Sequence, residues 1–317
     1  TSFAVLQANA TPVFADVDLK TFQISAESIK KNITSKTKAI ITVSLFGLSP
    51  EMDKIITLAN EYNLKVLEDN AECYLAKYNN KLVGTFGDCA SYSFQNSKHL
   101  TSGEGGVIIT NDTDFADKLR KVQSLGYANV SAKSGKITKD TIQDPNYNRH
   151  VTLGWNYRMP ELCCAVALGQ TENISGLVNR RIDVAKLFYD SSKDYHDWFV
   201  PQFIPSNCES SFWTWAVVLK RADLNFKLFR DRFKSLGGDG IYAAWKLTYE
   251  EPAFENLEFL NRQNFISSKN SNMYKSNPCP NAKYLQPKLL CFKTNYWNWS
   301  DAIKQANVLR ETLKSFE

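Results

Sequence analysis

The first half of the sequence alternates short apolar runs with amphipathic segments, and this alternation constrains the fold more than any other feature. KAIITVSLF (38–46) is a continuous β-branched run, the mark of a buried parallel strand. KVLED (65–69), CASYSF (89–94) and GGVIITND (105–112) read as further strands, and TPVFADVD (11–18) as a strand running into a turn. Between them lie helical patterns. AESIKKNI (26–33) follows Ser25 as an N-cap, with Ser28, Ile29 and Ile33 at helical spacing. Pro50 opens EMDKIITLANEYN (51–63), where Met52, Ile55, Ile56 and Ala59 share one stripe. Strands that alternate with helices predict an α/β fold with a mostly parallel sheet covered on both faces.

Further along, DFADKLRKVQSLG (114–126) predicts an amphipathic helix ended by Gly126. Residues 127–150 are polar and irregular, long enough for a functional or mobile loop. Helical spacing resumes from Pro160 to Lys193, with a break near Asn173–Gly176. The texture then changes. FWTWAVVLK (212–220) is aromatic and β-rich, NFKLFRDRFKSLG (225–237) is an amphipathic helix, and DGIYAAW and KLLCFKTNYW read as strands before a closing helix at 300–316. At roughly 150 residues per domain, a chain of 317 suggests two domains. We place a large α/β domain at 1–193 and a smaller α+β domain at 194–317.

Several classes are excluded. A hydrophobic fraction of 43% with 22% charged residues rules out a disordered or fibrous chain. A net charge of +5 without a Lys/Arg block gives no nucleic-acid footprint. No apolar run reaches the roughly 18 residues of a membrane span, and no signal peptide is visible. Seven scattered cysteines without a Cys-x-x-Cys pair point to a reduced, cytoplasmic protein. The three histidines lack metal-ligand spacing, so no metal is expected.

Three motifs fall at strand ends, where open α/β sheets place their sites. They are VLEDNAE with Asp69 and Glu72, SYSFQNSKHL with Ser93 and Lys98, and the Gly-rich turn SGEGGVIITND. A lysine in a loop after a buried strand, with an acid at the end of a neighbouring strand, suits pyridoxal 5'-phosphate. That cofactor needs a lysine for its Schiff base and a carboxylate facing its pyridine nitrogen. Ser93 offers a hydroxyl to the phosphate. Each residue alone has a plainer reading: Lys98 a solvated lysine, Asp69 a helix N-cap, Ser93 a strand-end hydroxyl. The Gly-rich turn lacks the spacing of a dinucleotide or P-loop fingerprint.

Taken in order, ATPVFADVD, KTKAIITVSLFGLSPEMDKI, KVLEDNAE, VGTFGDCASYSFQNSKHLTSGEGGVIITND and LGWNYRMPELCCAVALGQ resemble the DegT/DnrJ/EryC1/StrS family of nucleotide-sugar aminotransferases. The resemblance is close over about residues 1–190. It implies an aspartate-aminotransferase-like (fold type I) large domain, pyridoxal phosphate as cofactor, and a homodimer with shared active sites. By position, Lys98 corresponds to the Schiff-base lysine, Asp69 to the carboxylate on the pyridine nitrogen, and Glu72 to an acid or amide near the ring hydroxyl. Ser93 corresponds to a phosphate ligand, and Asn156 in GWNYRM to a residue reaching the partner's phosphate; without the family, Asn156 reads as a turn residue capping the next helix. Arg158 is a further contact with substrate. Tyr242, Trp245 and Lys246 fall in a substrate-facing segment, although a strand packed in the small-domain core reads equally well. FWTWAVV reads mostly as core; KTNYWNW (293–299) suits the site or the interface.

The implied reaction moves nitrogen from glutamate to a keto-deoxy sugar linked to a nucleotide, in amino-sugar synthesis for surface polysaccharide such as O-antigen. Lysine rather than histidine at position 98 favours this over the family's dehydratase branch. The alternatives are that dehydratase, or a non-catalytic nucleotide-sugar-binding relative. Family members carry residues ahead of the point where this sequence begins, so the resemblance implies a cofactor domain incomplete on its N-terminal side.

Overall fold

A computed structural model of the chain describes residues 1–131, 138–255 and 278–317. The first half contains α1 (Ser2–Gln7), α2 (Ala26–Asn32), β1 (Ala39–Val43), α3 (Met52–Glu61), β2 (Lys65–Asp69), β3 (Lys77–Tyr78), β4 (Lys81–Leu82), β5 (Cys89–Ser93), β6 (Gly106–Ile109) and α4 (Thr113–Gln123). Then follow α5 (Lys139–Gln143), α6 (Glu161–Glu172), α7 (Ile174–Ser192), β7 (Phe199–Pro201), β8 (Cys208–Glu209), β9 (Thr214–Leu219), α8 (Phe226–Ser235), β10 (Ile241–Ala243), α9 (Pro252–Glu255), α10 (Pro280–Leu285), β11 (Leu289–Lys293) and α11 (Trp299–Lys314).

The alternating pattern folds into a sheet ordered β1-β2-β5-β6. β1, β2 and β5 run parallel, with Val43 opposite Asp69 and Asp69 opposite Ser91, so their carboxyl ends share one edge. β6 runs antiparallel to β5. Cover is deeper on one face. Ile40 and Val66 are buried against Met52, Ile55, Leu58 and Ala59 of α3 and Ile29 of α2, each of these side chains other than Ala59 contributing about 1.5–3 kcal/mol. Alternate residues of β1 and β2 are only half-buried, and β6 is exposed throughout. The expected cover on both faces therefore fails at β6, which is an edge strand.

Local signals explain most boundaries. The Ser25 side chain accepts the Ser28 N–H and caps α2, as expected. α3 starts at Met52, two residues after Pro50. Asn173 separates α6 from α7 within the expected break. Two expectations change. TPVFADVD is not a strand; its one ladder contact is an isolated bridge between Val17 and Ile24. The polar stretch 127–150 contains α5, capped by Thr138, and its residues 132–137 lie outside the described set.

The second half builds an antiparallel sheet ordered β10-β11-β9-β7. All six residues of β9 are buried because both of its faces are covered. Trp215, Val217 and Leu219 face the Phe188, Phe199, Phe229 and Phe292 core, while Ala216 and Val218 pack with Phe22 and Phe46 from the first half. α7 joins two cores, with Val178 in the cluster around Phe94 and Leu100 and Val184, Ala185 and Phe188 in the aromatic cluster. Among the described residues no helix is long and apolar enough to cross a membrane, and no group of three or more metal-ligating side chains forms.

Candidate active site

Strand alternation sorts the acids at the end of β2. Glu68 turns inward and is fully buried, where its carboxylate accepts the N–H groups of Gly84 (2.6 Å), Phe86 (2.7 Å) and Gly87 (2.7 Å). Three donors compensate the burial of this anion and pin the turn beside β2. Asp69 turns the other way, toward the open edge. Its Oδ1 accepts the Ala71 N–H at 3.2 Å and its Oδ2 the Thr1 hydroxyl at 2.6 Å.

Lys98 sits in a loop that leaves β5 at Phe94 and returns at Gly105. Phe94 N–H donates to the Gly105 carbonyl at 2.9 Å, Ser102 N–H donates to the Phe94 carbonyl at 3.0 Å, and Leu100 is buried beneath. Gly105 is required here: its φ is +143°, and a Cβ would lie 2.6 Å from the Met159 sulfur. At the loop's start, Ser93 Oγ accepts the Gln95 N–H at 3.2 Å.

The loop carries Lys98 Nζ to 3.4 Å from Glu72 Oε1, with the two side chains only 15% and 16% exposed. Glu72 Oε2 accepts the Phe46 N–H at 3.2 Å. Burial pushes the Glu72 carboxyl above its usual range, against the pull of Lys98 and of the Phe46 N–H. A carboxyl so placed exchanges a proton with a neighbouring amine more readily than an exposed one.

The other side of Lys98 is aromatic. Its Nζ lies 4.4 Å from the ring centroid of Trp213, whose indole N–H donates to the Ser97 carbonyl at 2.8 Å. Gly47 brings Trp213 here. With φ at +95°, Gly47 lets its carbonyl accept the Ser211 N–H at 2.9 Å; a Cβ would lie 2.5 Å from the Phe212 nitrogen. His99 points away and is buried, its Nε2 at 2.9 Å from the Ser211 carbonyl. Burial drives its pKa down to about 3, so the ring is neutral.

The structure thus brings Lys98 and Glu72 together and sets Asp69 and Ser93 at the ends of adjacent strands. Asn156 and Arg158 are exposed and bonded to each other, Arg158 Nε to Asn156 Oδ1 at 2.8 Å, and share no hydrogen bond with these four among the described residues. Tyr242, on β10, and Trp245 and Lys246 beyond it are exposed, with no hydrogen bond to the Lys98 cluster among the described residues. Trp213 is the contact that the sequence reading missed, because FWTWAVV reads as core.

A family model described as the DegT/DnrJ/EryC1/StrS aminotransferase family matches residues 1–276. The chain belongs to this family. A GDP-perosamine synthase of Escherichia coli O157:H7 is 37% identical over 185 residues, covering 58% of this chain and 47% of that protein. A GDP-perosamine synthase of Vibrio cholerae is 30% identical over 230 residues, covering 72% of this chain and 56% of that protein. The chain spans about half the length of these curated relatives. Among solved structures, an aminotransferase from Psychrobacter cryohalolentis superimposes with a TM-score of 0.81 at 24% identity, over 99% of this chain and 78% of that one. A GDP-4-keto-6-deoxymannose-3-dehydratase mutant with bound GDP-perosamine gives a TM-score of 0.77 at 26% identity, over 99% and 77%. The DegT/DnrJ/EryC1/StrS chain therefore shares the α/β fold of the aminotransferases, fold type I, that the sequence predicts.

Proposed function

We propose that the protein is a pyridoxal-phosphate-dependent aminotransferase that moves nitrogen from glutamate to a keto-deoxy sugar carried by a nucleotide. The observation that carries this reading is the shielded Lys98–Glu72 pair at the sheet edge where Asp69 also ends. The donor set fits the cofactor: one shielded amine, an acid on the neighbouring parallel strand, and a hydroxyl where the lysine's own strand ends. When bound, pyridoxal phosphate supplies the electron sink and carries the amino group.

The residues divide the remaining work. Lys98 Nζ holds the cofactor and, when free, moves the proton at the substrate carbon. Glu72, within hydrogen-bond reach of that amine, takes and returns its proton. Asp69 keeps the pyridine nitrogen protonated, and Ser93 donates its hydroxyl to the phosphate. Asn156 and Arg158 serve the partner subunit's site in a homodimer. Their exposure supports this, as do Leu153 and Leu162 beside them, 75% and 83% exposed, because an isologous interface needs apolar surface. Tyr242, Trp245 and Lys246 meet the nucleotide sugar, consistent with the exposure of Tyr242 on β10 and of Trp245 and Lys246 beyond it. The relatives named GDP-perosamine synthase and the dehydratase bound to GDP-perosamine support a GDP-linked deoxy sugar in amino-sugar synthesis. We place the cofactor domain at 1–193 and the small domain at 194–317. Seven free cysteines, including exposed Cys164, support the reducing cytoplasm.

Borohydride trapping tests the reading. Pyridoxal phosphate should be fixed to the peptide containing Lys98 and to no peptide of Lys98→Ala. Trapping that ignores Lys98→Ala removes Lys98 from the role. Asp69→Asn should keep the trapped cofactor and lose about a hundredfold or more in turnover; an unchanged rate removes Asp69.

A further inference from the structure

Arg181 is almost fully buried, 4% exposed, yet among the described residues no carboxylate pairs with it. A desolvated guanidinium costs several kcal/mol unless its donors are satisfied. Here the four N–H groups of the guanidinium fork go to neutral acceptors from three separate segments. Nη2 donates to the carbonyls of Lys98 (2.7 Å) and Ser97 (3.1 Å). Nη1 donates to the Trp213 carbonyl (2.9 Å) and to Thr294 Oγ1 (3.3 Å). Thr294 in turn shares its one hydroxyl proton between the carbonyls of Phe212 (2.7 Å) and Trp213 (3.0 Å). The indole N–H of Trp213 closes the ring on Ser97, and its ring face lies 4.4 Å from Lys98 Nζ.

We propose that Arg181 and Trp213 form a positioning clamp that fixes the free Lys98 amine between the indole face and Glu72. Arg181 is a positioning residue and touches no reacting atom. It locks the backbone on either side of Lys98 and the backbone of Trp213 with a single planar fork, a geometry an ammonium cannot reproduce. Trp213 supplies a surface that holds the amine by cation–π attraction without ion-pairing it. The amine is thereby aimed while it remains free to leave for a bond. Thr294, just past β11, and Trp213, just before β9, tie this aim to the second sheet, so a shift of that sheet moves Lys98. Burial lowers the Arg181 pKa only to about 10, so it stays charged at neutral pH.

This inference rests on the cofactor reading of Lys98, and its test separates the two. The lysines of the full-length protein are reductively methylated with isotope-labelled formaldehyde and followed by NMR, the Lys98 signal being identified by its loss in Lys98→Arg. The indole ring current should shift that signal upfield. Trp213→Leu should abolish the shift, and Trp213→Phe should keep part of it. Folded Arg181→Met should lose most of it, with Arg181→Lys between, and cofactor trapping at Lys98 should slow by between about tenfold and a hundredfold. A folded Arg181→Met with the parental signal and trapping rate overturns the clamp. Where Arg181→Met does not fold, Arg181→Lys decides: it keeps the charge without the fork, so parental behaviour in it overturns the clamp. If the signal responds as stated but the parent protein traps no pyridoxal phosphate at Lys98, the cofactor reading falls and the clamp stands.

Discussion

His99 and Lys98 are neighbours in sequence with opposite fates, and the contrast shows how the site is built residue by residue. Lys98 reaches the open edge; His99 is buried beneath it with Nδ1 unpartnered. The folded protein holds His99 neutral, its pKa lowered from 6.5 to about 3 by burial first and by Arg181 second. A depressed pKa means that the unfolded chain binds the proton first as pH falls. The stabilisation is therefore present above about 6.5 and is lost as pH drops toward 3. Thermal unfolding should show this acid loss, and His99→Gln should flatten it; equal slopes in both proteins assign the loss elsewhere. Lys98, Asp69, Glu72 and Ser93 are candidates that the strand-end motifs and the family resemblance offer, and the strand ends at Asp69 and Ser93 were legible. Trp213 and Arg181 were not, since both lie more than eighty residues from Lys98 and only the fold brings them to it. One sign was readable: Arg181 stands on the apolar stripe formed by Val178, Val184, Ala185 and Phe188, where a charge is out of place.

At the scale of elements, the site depends on two loops that only glycine permits. Gly105 closes the lysine loop against Met159, and Gly47 admits the segment that carries Trp213. Gly47→Ala should cost about 1–3 kcal/mol from its left-handed backbone, with a further loss from the clash at the Phe212 nitrogen. Denaturant unfolding reads the stability, and Lys98 trapping reads the displaced tryptophan; a parental result in both contradicts this account of how Trp213 is placed. The parallel strands and α2, α3, α6 and α7 were legible from periodicity and caps. The segment 11–18 was not. Its apolar residues imitate a strand, but Ala15 packs beside α2, Phe14 joins the Tyr249–Phe254 cluster and Val17 packs with Phe22 and Phe46, and the one ladder contact is the isolated Val17–Ile24 bridge. β6 reads as an interior strand because sequence hydrophobicity does not say which strand lies at an edge.

For the whole molecule, the proposal requires two chains. Asn156 is exposed and shares no hydrogen bond with Lys98 among the described residues, and its proposed role is at the partner's site across an interface. Lys98→Ala and Asn156→Ala are each expected to be nearly inactive. Mixing and reassembling them should restore about a quarter of the parental rate, since half the dimers then hold one complete site of two. No recovery contradicts a shared site. Dimer and substrate are proposed from the family resemblance and the named relatives, because neither leaves a periodicity or a spacing in one chain. The central claim is nitrogen transfer, and it is tested most directly by supplying the protein with nitrogen-labelled glutamate, pyridoxal phosphate and a GDP-linked 4-keto-6-deoxy sugar and weighing the sugar product. The account predicts a labelled amino sugar, formed by the parent and absent with Lys98→Ala. An unlabelled deoxygenated product, or a labelled one that survives Lys98→Ala, would contradict it.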